Sequence, residues 1–315
     1  MRRILAAGAA ICALMLGGVE TRAQEAYPSR PITLIVPAAA GGPSDTVARL
    51  VAQAMSTKLG QQVLVDNRGG AVAKAAPDGY TLLLYHIGVA TFSALYPNLP
   101  YNPAELTPVG LITEVPMVLV GRSDLPAASV ADLLALMKEK SGSLTIGTAG
   151  VGAVSHLCAL LLEKATGAKM VEVPYKGSGP AMLDLVGKRI DLMCDQSTNT
   201  VNQIKAGDIK AYGVASRQRI PVLPDVPTLD QSGLKGFDIS AWHAMWAPKG
   251  TPEPIRQKLA EALVAALKDP AVIARFASLG TAPVEEGLAT PAALDKQFKA
   301  ELDRLGTLLA GMEAK

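Results

Sequence analysis

Ile32-Thr33-Leu34-Ile35-Val36-Pro37-Ala38-Ala39-Ala40-Gly41-Gly42-Pro43-Ser44-Asp45 is the stretch on which the reading of this chain turns. Residues 32–36 form a β-branched run with the composition of a buried strand, closed by Pro37, which cannot donate to a ladder. Pro43-Ser44-Asp45 then opens a helix. Its apolar positions Val47, Leu50, Val51, Ala54 and Met55 recur at helical spacing up to Gly60. Between the two, Gly41-Gly42 lets the backbone approach a ligand closely, and the helix start exposes unpaired amides at the positive end of its dipole. Ser44 caps the helix or donates to an anion. The same spacing also describes an ordinary capped strand-to-helix turn.

Working outward, the pattern repeats. Val63-Leu64-Val65 and Tyr80 to Tyr85 are predicted strands. A middle block gives strand Leu144 to Thr148, a Gly-rich turn, helix Ser155 to Ala165 and strand Met170 to Val173. Helix Pro180 to Val186, strand Ile190 to Cys194, helix Thr200 to Ala206 and strand Ile209 to Val214 follow, and from Pro252 the chain reads as helices. Repeated strand-turn-helix units mean an α/β protein with parallel sheets covered by helices. Two domains are expected, with crossings near Gly121 to Asp124 and again near Ile239 to Ala247, the final helices returning to the first domain.

The chain has 315 residues, with 30 Lys+Arg against 28 Asp+Glu. Arg2-Arg3, an apolar run from Ile4 to Val19, and Glu20-Thr21-Arg22-Ala23 have the form of a signal peptide cleaved after Ala23. Setting aside Arg2, Arg3, Arg22 and Glu20 leaves 27 residues of each sign, a neutral body without the basic field that nucleic-acid binding needs. An exported, periplasmic protein is therefore expected. Cys12 lies inside the leader. Cys158 and Cys194 remain in the mature chain, and their spacing leaves open whether they pair or stay as buried thiols.

Four places are candidates for chemistry. The first is the 37–45 turn. The second, Gly147-Thr148-Ala149-Gly150-Val151-Gly152-Ala153-Val154-Ser155-His156, follows a strand and opens a helix, but it has Ser155 where a dinucleotide fingerprint places Gly or Ala. It suits a carboxylate at a helix start better than a nicotinamide cofactor. The third is the histidines, His86, His156 and His243. None has two-His zinc spacing, and no Gly-x-Ser-x-Gly elbow exists, so no metal, cofactor or nucleophile–base pair is expected. The fourth is Asp195, ending a strand where open α/β sheets place ligands; Asp191, at the start of that strand, is expected to be solvated. Lys176-Gly177-Ser178 similarly ends a strand in a loop and reads as easily as exposed surface.

One ordered series runs through the mature chain. It comprises Tyr27-Pro28-x-Arg30-Pro31-Ile32, Ala39-Ala40-Gly41-Gly42-Pro43-Ser44-Asp45-Thr46, Ala76-Pro77-Asp78-Gly79-Tyr80-Thr81, Pro174-Tyr175-Lys176-Gly177, Leu223-Pro224-Asp225-Val226-Pro227-Thr228 and Ala247-Pro248-x-Gly250-Thr251-Pro252. The series resembles the Bug family of periplasmic receptors for tripartite tricarboxylate transporters. Tyr85-His86-Ile87-Gly88 and Met193-Cys194-Asp195-Gln196 are similar to the branch that includes an aspartate receptor. The resemblance implies a two-domain Venus-flytrap fold of type II, with a parallel or mixed sheet in each domain and no enzymatic activity. The domains would be 24–123 with 244–315, and 124–243.

It also implies that the protein is a monomer without cofactor, closing over a small organic carboxylate and handing it to membrane subunits of such a transporter. The ligand would be an amino acid such as aspartate, another di- or tricarboxylate, or an aromatic acid. Carried onto this chain, the first clamp is Ala39, Ala40, Gly41, Gly42 and Ser44, and the second Thr148, Gly150, Gly152 and Ser155, with His86, Gly88 and Asp195 flanking the bound molecule. A periplasmic sensor subunit, or a hydrolase or transferase, are the rival readings. There is one departure from the family pattern. Asn67-Arg68 is followed directly by Gly69 to Asp78, about eight residues short of the usual Gly-rich stretch, so the connecting helix is expected to shrink to one or two turns.

Overall fold

A computed structural model describes residues 27–69, 72–91, 95 and 102–308. The leader and Cys12 lie outside them. Among the described residues, nine strands form a mixed sheet in the order β2-β1-β3-β9-β4-β7-β5-β6, with β8 also on β4. They are β1 Ile32–Ile35, β2 Val63–Asp66, β3 Thr81–His86, β4 Thr107–Arg122, β5 Thr145–Thr148, β6 Val171–Pro174, β7 Leu192–Gln196, β8 Ile209–Val214 and β9 Ser240–Ala247. The helices are α1 Pro43–Leu59, α2 Val130–Glu139, α3 Val154–Thr166, α4 Ser178–Val186, α5 Ser197–Ala206, α6 Glu253–Leu267, α7 Pro270–Ser278 and α8 Pro291–Leu308.

The predicted strand-turn-helix units are present: β1 is parallel to β2 and β3, and β5 to β6 and β7. Sequence reading missed α2 and the two long strands that join the halves. Thr107 to Pro116 of β4 pair antiparallel with β9, whereas from Met117 onward β4 pairs with β7 and β8. Pro116 has no amide proton to give a ladder, and the exchange of partners falls there.

Each half has its own packing. Ile32, Leu34, Val47, Val51, Leu82, Met245, Leu259 and Phe276 form the core between the first half-sheet and helices α1, α6 and α7. Val118, Val120, Met182, Leu185, Met193 and Val201 form the core under α4 and α5. A third cluster on the other face runs from Trp246 and Phe298 to Leu119, Leu133 and Leu157. Cys158 of α3 and Cys194 of β7, both fully buried, form a disulfide that ties the helix to the sheet.

Two expectations are corrected. No helix occurs within 72–80; the short link is a series of turns, anchored by Val72, which is 4% exposed and packs into the core. One buried apolar side chain there takes the place of an amphipathic helix face for which the chain is too short. Asp191 is not a solvated charge either. Its carboxylate accepts from the Thr145 amide (2.9 Å), the Thr145 hydroxyl (2.8 Å) and Arg122 Nε (2.9 Å), tying β4, β5 and β7 together.

Candidate functional site

The carboxyl ends of β1, β2 and β3 face those of β5, β6 and β7 across a cleft of about 520 Å³. Three helix starts open onto it: α1 at Gly42-Pro43-Ser44, α4 at Gly177-Ser178, and α5 directly after Gln196. Ala39, Asn67, Arg68, Gly69, Tyr85 and His86 complete the wall of the first half, and Ala149 and Lys176 that of the second.

The first turn is braced from behind. Gly41 N–H donates to Asp45 Oδ2 (2.9 Å), which also accepts from Arg49 Nε (2.9 Å), and Asn67 Nδ2 donates to the Ala38 carbonyl (3.1 Å). Burial alone would raise the Asp45 pKa; the hydrogen bonds from Arg49 and Gly41 outweigh it and hold the carboxyl below its ordinary value. Gly42 is the N-cap and provides no side-chain cap, which leaves the amides of the first helical turn for an anion.

Ser44 Oγ lies 3.1 Å from Nε2 of His243, which is fully buried beneath the cleft and opposite His86 in the β3–β9 register. Sequence analysis did not bring these two residues together. A serine and a histidine at this distance are half of a nucleophile–base arrangement. The other half is missing among the described residues. No carboxylate orients the His243 ring, whose backbone interaction with Ala241 raises the pKa only a little, and burial pushes the imidazole down to about 3, far from a base poised near neutrality. His86 is also held neutral, by burial and then by its neighbour His243. Its Nδ1 accepts from Gly88 N–H (2.9 Å), so its proton sits on Nε2, leaving a neutral donor in the cleft wall.

The second predicted clamp is built differently from expectation. Ala149 N–H already donates to Ser155 Oγ (2.8 Å), Gly150 N–H to Thr148 Oγ1 (3.4 Å) and Gly152 N–H to His156 Nδ1 (3.1 Å). Thr148 in turn donates to Glu172 (2.9 Å). The side chains of this turn thus satisfy its own amides, and Ala149 is the part of it that lines the cleft. Gly88 and Gly152 meet where the halves touch, their carbonyls 2.8 and 3.1 Å from Thr91 Oγ1.

Asp195, 1% exposed, stands behind the cleft wall: Oδ1 accepts from Ser178 Oγ (2.9 Å) and Oδ2 from Asn199 Nδ2 (2.6 Å). Burial raises its pKa against those hydrogen bonds. Its neighbour Gln196 does line the cleft, although 4% exposed, and its Oε1 has no hydrogen-bond partner. Of the predicted residues, the structure therefore brings Ala39, Gly42, Ser44 and His86 to the cleft. Ala40 and Gly41 lie exposed at its rim, and Gly88, Thr148, Gly150, Gly152, Ser155 and Asp195 lie outside the lining or behind it. Arg68, Gly177, Ser178 and Gln196 were missed; the turn at Lys176-Gly177-Ser178 carried the signal, a glycine at a strand-to-helix junction.

Gly177 has φ 115° and ψ 166°, and a Cβ built there would stand 2.9 Å from Ala39 Cβ across the cleft. Only glycine fits both demands. Among the described residues no group of three His, Cys, Asp or Glu side chains could hold a metal, and no helix is long and apolar enough to cross a membrane.

A mixed sheet in two halves, joined by β4 and β9 with a cleft between them, defines the two-domain periplasmic-binding-protein fold. The chain belongs to the tripartite tricarboxylate transporter receptor family, whose sequence model matches residues 47–309. A protein of Agrobacterium vitis, named for its place in the TAR-I ttuE-ttuC' intergenic region, is 64% identical over 92% of this chain and 86% of its own length. The solved periplasmic binding protein BugD is 45% identical, with a TM-score of 0.86 over 90% of this chain and 97% of its own. MatC of Rhodopseudomonas palustris, solved with bound malate, is 38% identical, with a TM-score of 0.85 over 90% of this chain and all of its own (100%).

Proposed function

We propose that this protein is a periplasmic receptor that captures a small organic carboxylate in the cleft and delivers it to the membrane subunits of a tripartite tricarboxylate transporter. The observation that carries the proposal is the convergence of three helix starts, with Lys176 and Arg68, on one cleft of about 520 Å³. Unpaired amides at helix starts stabilise anions, and closing two lobes around the anion removes competing water. The likeness to MatC, which was solved with malate, supports the same reading.

In this proposal the lobes are 24–123 with 244–315, and 124–243, hinged where β4 and β9 pass between them. The leader directs export and is removed after Ala23, and the receptor works as a monomer. The cleft-lining residues Ala39, Gly42, Ser44 and His86 touch the ligand. Ala40, Gly41, Gly88, Thr148, Gly150, Gly152, Ser155 and Asp195 hold the loops that shape its pocket. Domain closure is the signal that the transporter reads.

The test is a thermal-shift screen of Gln24 to Lys315, purified through unfolding and refolding to strip bound ligand, against aspartate, glutamate, citrate, malate, nicotinate and terephthalate. An acid at 100 times its dissociation constant adds about 2.7 kcal/mol of stability, roughly 5–10 °C of midpoint. The proposal expects such a shift with at least one acid and none with its amide. A cooperative melt that no acid moves rejects it.

A further inference from the structure

The seam between the two halves holds a buried hydroxyl that does not line the cleft. Ile87–Thr91 is a 3₁₀ turn directly after β3, and its last residue, Thr91, is fully buried. Around it Ile87, Val89 and Leu95 of the first half and Val154 and Leu157 of the second belong to one apolar cluster. A hydroxyl in such surroundings costs free energy unless it donates its proton. Two carbonyl oxygens are within reach. That of Gly88, in the same half, is at 2.8 Å, and that of Gly152, in the turn before α3 of the other half, is at 3.1 Å.

A hydroxyl has one proton, so the two carbonyls compete for it. Donated to Gly152, it ties the halves together; donated to Gly88, it stays within the first half. The halves can therefore part without leaving the Thr91 hydroxyl unpaired. Both ends of the contact are held in place. Gly88 N–H donates to Nδ1 of His86, a residue of the cleft wall (2.9 Å), and Gly152 N–H donates to Nδ1 of His156 (3.1 Å). Gly152 has φ 81°, and a Cβ there would stand 2.6 Å from Leu95 Cδ1 and 2.9 Å from Thr91 Oγ1. Only glycine lets the second half come this close.

We propose that Thr91 is a positioning residue for closure: its hydroxyl engages Gly152 when the halves meet and falls back on Gly88 when they part. It thereby sets the affinity for every ligand without touching one. This deepens the receptor reading above and rests on it for what closure does. Two costs separate in Thr91→Val, which keeps the shape and removes the hydroxyl. Gly88 loses the donor in both arrangements, which lowers stability. Gly152 loses it only when the halves are together, which lowers affinity.

The experiment compares refolded mature wild type, Thr91→Val and Thr91→Ser by calorimetric titration with aspartate, glutamate, citrate, malate, nicotinate and terephthalate, and by hydrogen exchange without ligand. Thr91→Val should weaken every acid that wild type binds by one common factor, about tenfold, as the loss of one buried hydrogen bond implies. Thr91→Ser, which keeps the hydroxyl, should bind as wild type does. Without ligand, the amides of 149–156, in the half that does not carry the substitution, should exchange about tenfold faster in Thr91→Val and at the wild-type rate in Thr91→Ser. A folded Thr91→Val that binds as tightly as wild type, or that alters the ratio between acids, overturns the inference. So does equal weakening in Thr91→Ser, which would make the methyl group the cause. Should Thr91→Val not fold, Gly152→Ala disturbs the same contact from the other half, and undiminished binding there overturns the inference. Should no acid bind folded wild type, the receptor reading falls; an unmoved exchange rate at 149–156 in Thr91→Val then overturns the role of Thr91 as well.

Discussion

Replacing Gly177 with alanine should impose two separable costs. The first is local. The backbone at φ 115°, ψ 166° lies in a region open essentially to glycine alone, and a side chain there costs about 1–3 kcal/mol whether or not ligand is bound. The second spans the cleft. The new Cβ would stand 2.9 Å from Ala39 Cβ, well inside the roughly 3.5–4.0 Å of an ordinary carbon contact. Overpacking of this kind costs about 1–3 kcal/mol, and it falls on the arrangement in which Gly177 meets Ala39, the one proposed to hold the ligand.

The expected outcome is a melting midpoint a few degrees lower without ligand and, in addition, roughly tenfold weaker carboxylate binding, since each 1.4 kcal/mol is a factor of ten. Ala39→Gly in the same chain removes the clash and leaves the strained backbone. The double variant should therefore recover affinity but not stability. Calorimetric titration and thermal melts on wild type, the two single variants and the double variant complete the cycle. Unchanged affinity in Gly177→Ala, or a double variant that remains as weak as the single one, would refute the reasoning.

Three further outcomes follow from the same geometry. The Cys158–Cys194 disulfide closes a loop with a sequence separation of 36, so its removal in a Cys158→Ser/Cys194→Ser protein should cost about 4 kcal/mol by loop entropy, read from urea midpoints; a loss under 1 kcal/mol contradicts this. Ser44→Ala leaves His243 Nε2 buried without its partner and should lower stability by about 1–3 kcal/mol, a loss that an undiminished urea midpoint would disprove. Because His243 is held neutral down to about 3 in the fold and titrates near 6.5 when unfolded, protons favour the unfolded chain below pH 6.5. Stability should fall as pH drops from 7 to 5, by up to about 1.4 kcal/mol per unit for this residue, and His243→Gln should flatten that slope; an identical slope in the variant would contradict it.

Much of this architecture was legible because strand-turn-helix units leave strong local marks. The β-branched run at 32–36, the glycines at 41–42 and the helical spacing from Val47 place β1 and α1 without any tertiary knowledge. The joining strands left no such mark. β4 is a long apolar segment interrupted by Pro108, Gly110 and Pro116, and β9 reads as a crossing because its partners, β3 and β4, both lie far upstream in the chain. The first wall of the cleft was found for the same local reason as α1. The second was misplaced: glycines at 150 and 152 suggest free amides, yet Ser155, Thr148 and His156 satisfy them, a three-dimensional closure that spacing does not encode. Gln196 was quoted only as part of the 193–196 stretch and not as a site residue, because a glutamine at a strand end is chemically bland until the cleft that it lines is known. His243 and Ser44 are 199 positions apart and meet only through β9.

The most direct test of the central claim is a crystal structure of the mature chain with the acid that gives the largest thermal shift. The account predicts a single molecule between the start of α1 at Ser44 and Gln196, with one carboxylate toward each half and Gly177 against Ala39. Density for the acid at another surface, such as the groove between Lys58 and Pro291, with an empty cleft, would contradict it.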